Sequence, residues 1–558
     1  VDLCSGSLLL MKPEDEKWDE EKLDDESGKS CASETTALLN SPRYGHPALF
    51  RRTGYLGRLE RHFGWQLLFL LFVVQHLMKG LAHRMTMKAI PYVFKAFAID
   101  APHAQVLNGL IKLPWAVKPM IGLTSDVLPV MGFRKGPYMA ISAFSGFCAF
   151  AFIITSPQTS IIVAVVCIML IILQFSTCDI LSEAQYASKI QEAPQAGPDL
   201  LCYVWAGINI FGILAMLCSG PILQSYGYKA AFTFAAVPAS LVLVPVTMGC
   251  LQEKRLSAEE LTSIRHNHFE KRELCFLCLM MFAGAVVIMF VGLLQNDPRV
   301  NFAVAFTVSM FLLFCSSICL TPVVAKANAF AVLYTGLNAS ISGATFYFYT
   351  DSKEVYPAGP HFSDFFFNTV LGTAGSVFAL MGLWFYQQYL SGLTYRNLII
   401  FTAMMMFVFS WLDVMMFARI NVKLGIPDHW LVLGLSICEQ MISEWQWMPQ
   451  VVLLAALCPP GMEATMLALL AGCHNLGGTV GSHFGAMLLH FWDVKPRGQQ
   501  GDAAQFDNLW IVAATTSILP LFTAMFFRYL LPDCKQNEKI PGVSDPTENS
   551  ILKRWLNS

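Results

Sequence analysis

Apolar stretches of about 20 residues recur along most of the sequence and limit the possible folds more than any other feature. An α-helix needs about 20 consecutive, mostly apolar residues to cross the hydrocarbon core of a bilayer. Of the 558 residues, 55% are hydrophobic and 14% are charged, whereas a soluble domain carries about 25% charged residues. This charge is too sparse to cover a water-facing surface, which excludes a soluble enzyme. The sequence predicts an all-α polytopic membrane protein.

Fourteen of these stretches are long enough to predict transmembrane helices. The predicted spans are 65–92, 104–124, 137–155, 160–182, 201–222, 229–250, 274–295, 301–323, 327–349, 364–390, 396–418, 429–457, 463–490 and 507–531. A charged stretch at 251–273 contains five basic and five acidic residues and follows the sixth span. The order of spans therefore predicts two six-helix bundles with an inserted pair of helices between them.

The domain organisation follows from this order. We predict a polar cytoplasmic N-terminal tail at 1–62, a first bundle at 63–250, a cytoplasmic charged loop at 251–273, an inserted helix pair at 274–323, a second bundle at 324–532 and a cytoplasmic tail at 533–558. Both bundles contain a glycine-led loop ending in arginine, from Gly122 to Arg134 and from Gly382 to Arg396. Repeated six-helix halves are typical of major facilitator transporters.

Lysine and arginine are unevenly distributed between the two sides of the predicted bundle. Because cytoplasmic loops of membrane proteins are enriched in these residues, the richer side predicts the cytoplasmic face. That side carries Arg51, Arg52, Arg58, Arg61, Arg134, Lys135, Lys189, Arg396, the 251–273 loop and the C-terminal tail. Both termini are thus predicted to be cytoplasmic, in a protein of the plasma membrane. The predicted partners are the lipid bilayer and a small-molecule substrate, without nucleic acid.

Polar side chains recur at helical spacing in four of the predicted spans. Ionisable residues inside a membrane are costly, so each of them indicates a functional site. The four groups are His76, Lys79 and His83; Ser176, Asp179, Glu183 and Tyr186; Asn338, Ser342, Thr345 and Tyr349; and Glu439, Ser443, Gln446 and Gln450. At 100° per residue, each group falls on one face of its helix.

Three sequence blocks combine charged residues with proline and glycine inside or beside predicted spans. They are Leu113-Pro-Trp-Ala-Val-Lys-Pro-Met-Ile-Gly-Leu-Thr-Ser-Asp126, with Gly132 and Arg134; Cys178-Asp179 through Glu183; and Asn421-Val-Lys-Leu-Gly-Ile-Pro-Asp428, with Leu457-Cys-Pro-Pro-Gly-Met-Glu-Ala-Thr465. Together they resemble the folate–biopterin transporter family over roughly residues 65–532. The run Ala471-Gly-Cys-His-Asn475 resembles the protozoan branch of that family.

The resemblance implies a major facilitator fold in which the first, fourth, seventh and tenth helices of the two bundles line a central cavity. These are the four spans with polar stripes, once the 274–323 pair is set aside. The resemblance also implies that Asp126 and Arg134 form a cytoplasmic latch, although the five residues between Asp126 and Gly132 exceed the usual spacing. Glu463 follows Pro459-Pro460-Gly461 at a helix start, where a carboxylate suits the helix dipole, and is predicted to cap or gate.

The function that the resemblance implies is secondary transport of a folate or an unconjugated pteridine by alternating access. A folate would need cations for its carboxylates, an aromatic surface for its pterin and acceptors for the pterin's hydrogen-bonding edge. The predicted substrate-binding residues are His76, Lys79, His83, Lys112, Lys118, Asp179, Trp205, Asn338, Glu439, Ser443, Gln446 and Trp447. Lys79 has an alternative role in a structural ion pair, and the tryptophans have one as interface anchors.

Proton coupling is predicted at Asp179 and Glu183, because two carboxylates one helical turn apart disfavour ionising together and one of them can carry a proton. An alternative substrate is S-adenosylmethionine, whose positive sulfur would favour Asp179, Glu183 and Glu439 over Lys79. A multispan receptor or a channel is a remote alternative. The sequence contains neither an H-E-x-x-H nor a G-x-S-x-G motif, so we predict no enzyme activity, no cofactor and no metal site.

Overall fold

A computed structural model describes residues 54–536 apart from 157–158 and 458–462, together with 538, 540, 550, 551 and 553. For 267, 268, 455, 463–465 and 524 it describes the backbone but not the side chain. Most of the predicted N-terminal tail, 1–53, therefore lies outside the described residues, as does much of the C-terminal tail.

The described residues before the charged stretch form the N-terminal half. Its helices are α1 Tyr55–Ala96, α2 Ala101–Ala116, α3 Lys118–Val127, α4 Gly136–Thr155, α5 Ile161–Glu192, α6 Gly197–Ser240 and the short α7 Leu243–Thr247. Side-chain caps start several of them; Ser160, for example, accepts a hydrogen bond from the backbone amide of Val163 at the start of α5. Gly227, at φ 76°, divides α6 into two helices, which correspond to the predicted fifth and sixth spans.

The remaining helices form a connecting segment and the C-terminal half. They are α8 Ala258–Glu270, α9 Arg272–Leu294, α10 Pro298–Cys319, α11 Pro322–Leu337, α12 Ser342–Thr350, α13 Phe365–Leu390, α14 Tyr395–Phe417, the short α15 Ile420–Lys423, α16 Asp428–Ala456, α17 Glu463–Phe491 and α18 Leu509–Leu530. Helix α8 lies within the 251–273 stretch that the sequence predicts to be a loop. Its capping box explains the helix, since Ser257 and Glu260 bond each other's backbone amides.

Two predicted spans are broken helices. The second is divided at Val117 into α2 and α3, because Pro119 has no backbone N–H with which to continue the ladder of α2. The ninth, 327–349, is divided at 338–341 into α11 and α12. Its freed backbone is satisfied in part by α17, whose Gly481 carbonyl accepts from the Ser340 amide at 3.2 Å. Backbone breaks at membrane depth are tolerated where protein or a cavity surrounds them.

The two halves pack against each other along two seams. Within the N-terminal half, α6 packs along the centre of α1 and α4 packs on α5; within the C-terminal half, the pairs are α13 with α16 and α14 with α18. Between the halves, α17 packs on α2 and α6 packs on α13. Helices α9 and α10, the pair predicted to be inserted, contact both α2 and α17, which form the first seam.

The outer surface is apolar, as a bilayer requires. In the described part of the chain, nine helical segments are long and apolar enough to cross a membrane. Large apolar side chains are exposed on their outer faces, such as Ile141 and Phe144 on α4 and Val408 on α14. Contiguous apolar surface of this extent is unfavourable in water. The helices confirm the prediction of an all-α polytopic membrane protein, and the predicted domain boundaries stay a prediction.

Candidate functional site

Four ionisable side chains meet in the N-terminal half and form what we call the lysine–carboxylate cluster: Lys79, Lys118, Asp179 and Glu183. The Lys79 Nζ lies 2.7 Å from one oxygen of Asp179, and the Lys118 Nζ lies 2.6 Å from the other. Glu183 lies farther away, 3.4 Å from Lys79 and 3.6 Å from Lys118. Two positive and two negative charges compensate each other here, as burial of ions requires.

The surroundings of Asp179 complete its hydrogen bonding. Its carboxylate is buried at the centre of α5 and also accepts a hydrogen bond from the amide of Gln75 at 3.0 Å. The same amide nitrogen donates to the hydroxyl of Ser182 at 2.8 Å. The break between α2 and α3 places Lys118 at the first turn of α3, facing α5. Glu183 is the most exposed member, with 31% of its side chain accessible.

His76 and His83 lie near this cluster on α1 but contact different neighbours. The His76 Nε2 lies 3.0 Å from the carbonyl oxygen of Tyr203 on α6. The His83 ring instead packs edge-on against Trp115 and Phe175. Residues 72–83 form a π-helix, in which hydrogen bonds span five residues instead of four. The regular 100° spacing assumed for this stripe is therefore lost, and His76, Lys79 and His83 do not present one common face.

A cavity of about 510 Å³ lies between the halves, mainly within the C-terminal half. A volume of 300–1,000 Å³, by order of magnitude, is typical of small-molecule sites. The polar residues that line it are Arg84, Lys88, Asn338, Thr345, Ser376, Ser410, Asp413, Ser436, Glu439, Gln440, Gln446, Thr516 and Ser517. Aromatic and aliphatic side chains, such as Tyr349, Phe367 and Met406, form the rest of the wall. The chemistry of the lining suits an amphipathic ligand with several polar groups.

Asp413 of α14 and Glu439 of α16 form a carboxyl pair on the wall of this cavity. Their carboxyl groups lie close enough to influence each other electrostatically. Two adjacent carboxylates disfavour ionising together, so one member of such a pair can hold a proton. Glu439 was predicted from the sequence, whereas Asp413 was not. The pair offers a carboxylate oxygen to hydrogen-bond donors of a ligand and also a site that can gain or lose a proton.

Arg84 and Lys88 of α1 line the same cavity and bring its positive charge. They stand one turn apart on the regular α-helical part of α1, Arg84–Ala96, so they share a face. The guanidinium of Arg84 rests against Gly212 of α6, where a Cβ would lie 2.8 Å from its Nε. The Lys88 Nζ lies 5.8 Å from the centre of the Phe367 ring.

Some of the other predicted binding residues line the cavity, and the rest lie elsewhere in the structure. Within the described chain, Asn338, Glu439 and Gln446 line the cavity. Trp205 lies beside the lysine–carboxylate cluster, 5.8 Å from the Lys79 Nζ. Trp447 faces the ring of His474 at 5.0 Å between centroids. Lys112 and Ser443 are exposed. The roles of all these residues in binding stay predictions.

The predicted latch joins residues within one half. The Arg134 guanidinium lies 3.6 Å from the carboxylate of Asp126. The backbone amides of Arg134, Lys135 and Gly136 all donate to Glu253, which thereby caps the start of α4. Glu463 begins α17, as predicted for a helix start, and its side chain lies outside the described residues.

Hydrogen bonds and ion pairs between the halves gather at the opposite end of the molecule, where α1 ends. The Tyr92 hydroxyl donates to Asp364 at 2.7 Å, and the Lys95 Nζ lies 2.8 Å from Asp351. The Tyr347 hydroxyl donates to the carbonyl of Ile99 at 2.6 Å. Burial raises the pKa of Asp351, although Lys95 opposes this shift. These contacts close this end of the passage between the halves.

Three charged residues of the cavity were missed in the sequence: Arg84, Lys88 and Asp413. Each lies inside a predicted span, so the cost of intramembrane charge was a signal that could have found them. The residues that align in polar stripes are their neighbours instead, namely Lys79 and His83 on α1. Lys118 was predicted as a binding residue, but its pairing with Asp179 could not be foreseen without the break at Val117.

Comparison with known proteins places the chain in a family. The model of the BT1 family matches residues 79–547. The "Probable folate-biopterin transporter 2" of Arabidopsis thaliana is 24% identical over 499 residues, covering 87% of each chain. The "Folate-biopterin transporter" of Synechocystis is 25% identical over 80% of this chain and 79% of its own length. The "Folate transporter 2" of Plasmodium falciparum is 23% identical over 83% of this chain and 87% of its own.

Solved structures with a similar fold are transporters as well. The crystal structure of the peptide transporter POT in complex with sulfate aligns with a TM-score of 0.57 at 14% identity, covering 86% of this chain and 96% of that one. The POT family transporter PepTSo aligns with a TM-score of 0.56 at 12% identity, covering 83% of this chain and 98% of its own. At such identities the likeness shows the fold alone, which is the predicted major facilitator fold.

Proposed function

Because the chain belongs to the BT1 family of membrane transporters, we propose that it moves a folate or an unconjugated pteridine across the membrane by alternating access. The observation that carries this proposal is the cavity of about 510 Å³ between the halves, lined by a carboxyl pair and two cations. It joins the polar groups that a pteridine ring and a carboxylate tail would each need. The names of the relatives in plants, cyanobacteria and Plasmodium support the substrate class.

In this proposal the pterin ring lies in the C-terminal part of the cavity. Its amino group and the adjacent ring N–H donate to a carboxylate oxygen of Glu439 or Asp413. Gln446 and Asn338 provide further hydrogen bonds, and aromatic residues such as Tyr349 and Phe367 lie within reach of the ring. A few convergent polar groups within an apolar wall are the usual means of orienting a small ligand.

Transport requires the closed end to open while the opposite end closes. We propose that the end joined by Tyr92–Asp364 and Lys95–Asp351 faces the outside, which corresponds to cytoplasmic termini in the plasma membrane. The Asp126–Arg134 latch and Glu463 would act at the other end. Rocking of the two bundles about a midplane site is the general mode of such transporters.

We further propose that transport is coupled to protons. Asp179 and Glu183 are the predicted carriers, and Glu183 is the more accessible of the two. The carboxyl pair offers a second position for a proton, since two adjacent carboxylates disfavour ionising together. Uptake that rises with an inward proton gradient and falls with a protonophore supports coupling; uptake indifferent to both would end that part of the proposal.

S-adenosylmethionine is the second candidate substrate. The carboxyl pair favours it, because a carboxylate on the cavity wall suits the positive sulfur of that ligand. Arg84 and Lys88, on the same cavity, repel the sulfonium and ammonium groups of S-adenosylmethionine and attract only its single carboxylate, so its net positive charge is disfavoured. The two candidates therefore place opposite demands on the same residues.

Uptake into cells that lack folate, pteridine and S-adenosylmethionine transport tests the proposal. The protein is expressed with the three radiolabelled compounds supplied one at a time, with and without a proton gradient. We expect saturable uptake of folate or biopterin that the unlabelled compound inhibits. Uptake of S-adenosylmethionine alone would select the alternative, and uptake of none of the three would refute the substrate class.

A further inference from the structure

Arg84 and Lys88 differ from Lys79 and Lys118 in the N-terminal half, because neither forms an ion pair with a carboxylate among the described residues. Among the described residues, neither has a carboxylate oxygen within the 4.0 Å of an ion pair. Lys79 and Lys118, in contrast, each lie within 2.7 Å of Asp179. Glu444 of α16 faces Arg84 at longer range. Charges kept inside a membrane without a partner are costly and indicate a function.

The position of these two cations is defined by their neighbours. Arg84 is seated in the space that Gly212 leaves on α6. Lys88 lies beside the ring of Phe367 on α13. Because the two residues are one turn apart, their charged groups reach the same wall of the cavity. That wall belongs to α1, whereas the carboxyl pair belongs to α14 and α16.

We propose that Arg84 and Lys88 form an anion subsite that holds the carboxylates of the substrate's tail. This inference rests on the proposed function and assigns the orientation of the ligand within the cavity. The carboxyl pair repels the tail and accepts hydrogen bonds from the opposite, pterin end. The arginine provides a planar fork that matches a carboxylate, and the lysine provides a second, compact charge. A dicarboxylate tail thus meets two cations on one wall.

Selectivity between two substrates tests this subsite. Folate carries carboxylates and biopterin carries none, so loss of a cation affects folate more. We expect Arg84→Gln and Lys88→Gln to raise the KM for folate uptake at least ten-fold more than the KM for biopterin. Arg84→Lys and Lys88→Arg keep the charge and are expected to recover most of the folate affinity. Lys326→Gln, which removes an exposed lysine on α11, is the matched control.

The result that overturns the subsite is an equal change for both substrates, or no change for either, in variants that reach the membrane at the wild-type level. A second measurement separates this inference from the proposed function. Glutarate, a small dicarboxylate, is added to the purified full-length protein, and the melting temperature is recorded. Stabilisation of the wild type that Lys88→Gln abolishes supports the subsite even if neither substrate is taken up. Absence of stabilisation, together with unchanged selectivity, refutes it.

Discussion

The lysine–carboxylate cluster and the central cavity contain the same kinds of charged residue in opposite arrangements. In the cluster, the nitrogen of each of the two lysines lies 2.6–3.6 Å from both carboxylates, so the charges compensate each other. In the cavity, two cations stand on α1 while two carboxyl groups stand on α14 and α16, with about 510 Å³ between them. The charges of the cluster are compensated without a ligand. The cavity, in contrast, offers both positive and negative side chains to a ligand.

The difference shows why an intramembrane charge is not by itself a binding residue. Lys79 was predicted to hold the substrate's carboxylate, with a structural ion pair as the alternative. Its contact with Asp179 favours the alternative, and the binding role stays a prediction. Whether a charged side chain is available to bind a ligand depends on its neighbours on other helices. We therefore expect variants in the cluster to affect stability first and variants in the cavity to affect transport first.

The largest expected effect is a loss of stability after substitution in the lysine–carboxylate cluster. Asp179→Asn removes the shared partner of Lys79 and Lys118 while keeping the side chain's shape. The free energy of unfolding should fall by about 3–5 kcal/mol, since breaking a buried ion pair leaves an uncompensated charge. A lower melting temperature of the purified variant, compared with the wild type, would report this loss of stability.

A paired substitution makes the test of the cluster specific. Lys118→Met combined with Asp179→Leu removes one charge of each sign and should recover part of the lost stability. If Asp179→Asn melts at the wild-type temperature, the ion pairs of Asp179 do not stabilise the fold, and the contrast between the two regions disappears.

In the cavity we expect a smaller effect, on the KM of transport and not on stability. Glu439→Gln weakens the acceptor for the pterin edge, so the KM for folate should rise about ten-fold, or ~1.4 kcal/mol, within the range of hydrogen bonds to charged groups. The melting temperature should not fall, because one of two adjacent carboxyls is neutralised. Kinetics of uptake and thermal melting measure the two quantities. Glu192→Gln, at the exposed end of α5, is the control, and a large loss of stability in Glu439→Gln would contradict this account.

The smallest expected effect is on the KM for folate when the contact between Arg84 and Gly212 is changed. In Gly212→Ala the new methyl group meets the guanidinium at 2.8 Å, and the flexible side chain must shift. We expect a roughly two- to five-fold rise in the KM for folate, since an altered rotamer costs on the order of 0.5–1 kcal/mol. Gly434→Ala on α16, where a Cβ meets nothing within 4 Å, provides the control. Equal KM values in the two variants would separate Arg84 from folate binding.

Much of the fold could be predicted from the sequence, because the length of an apolar stretch directly reports a crossing of the bilayer. The predicted spans overlap the long helices, including α9 and α10, although two of the spans are broken and the helices α8 and α15 were not predicted. The deviations have local causes, namely the π-helix at 72–83, the break before Pro119 and the capping box at Ser257. Each of them depends on backbone hydrogen bonding that hydrophobicity does not report.

The site was less predictable, for a physical reason. The spacing along one helix identifies which residues share a face, but not which charges on other helices compensate them. Glu439 and Gln446 were found because they stand on a regular helix. Arg84 and Lys88 follow a π-helix that rotates their register relative to Lys79. The pairing of Asp413 with Glu439 joins α14 to α16, and no periodicity within either helix indicates it.

The position of folate in a structure of its complex with the full-length protein tests the central claim most directly. We predict a pterin ring beside Asp413 and Glu439 and carboxylates within hydrogen-bonding distance of Arg84 and Lys88. The ion pairs of Lys79 and Lys118 with Asp179 should be intact in that complex. Folate bound with its carboxylates on Lys79, and with those ion pairs broken, would contradict the account.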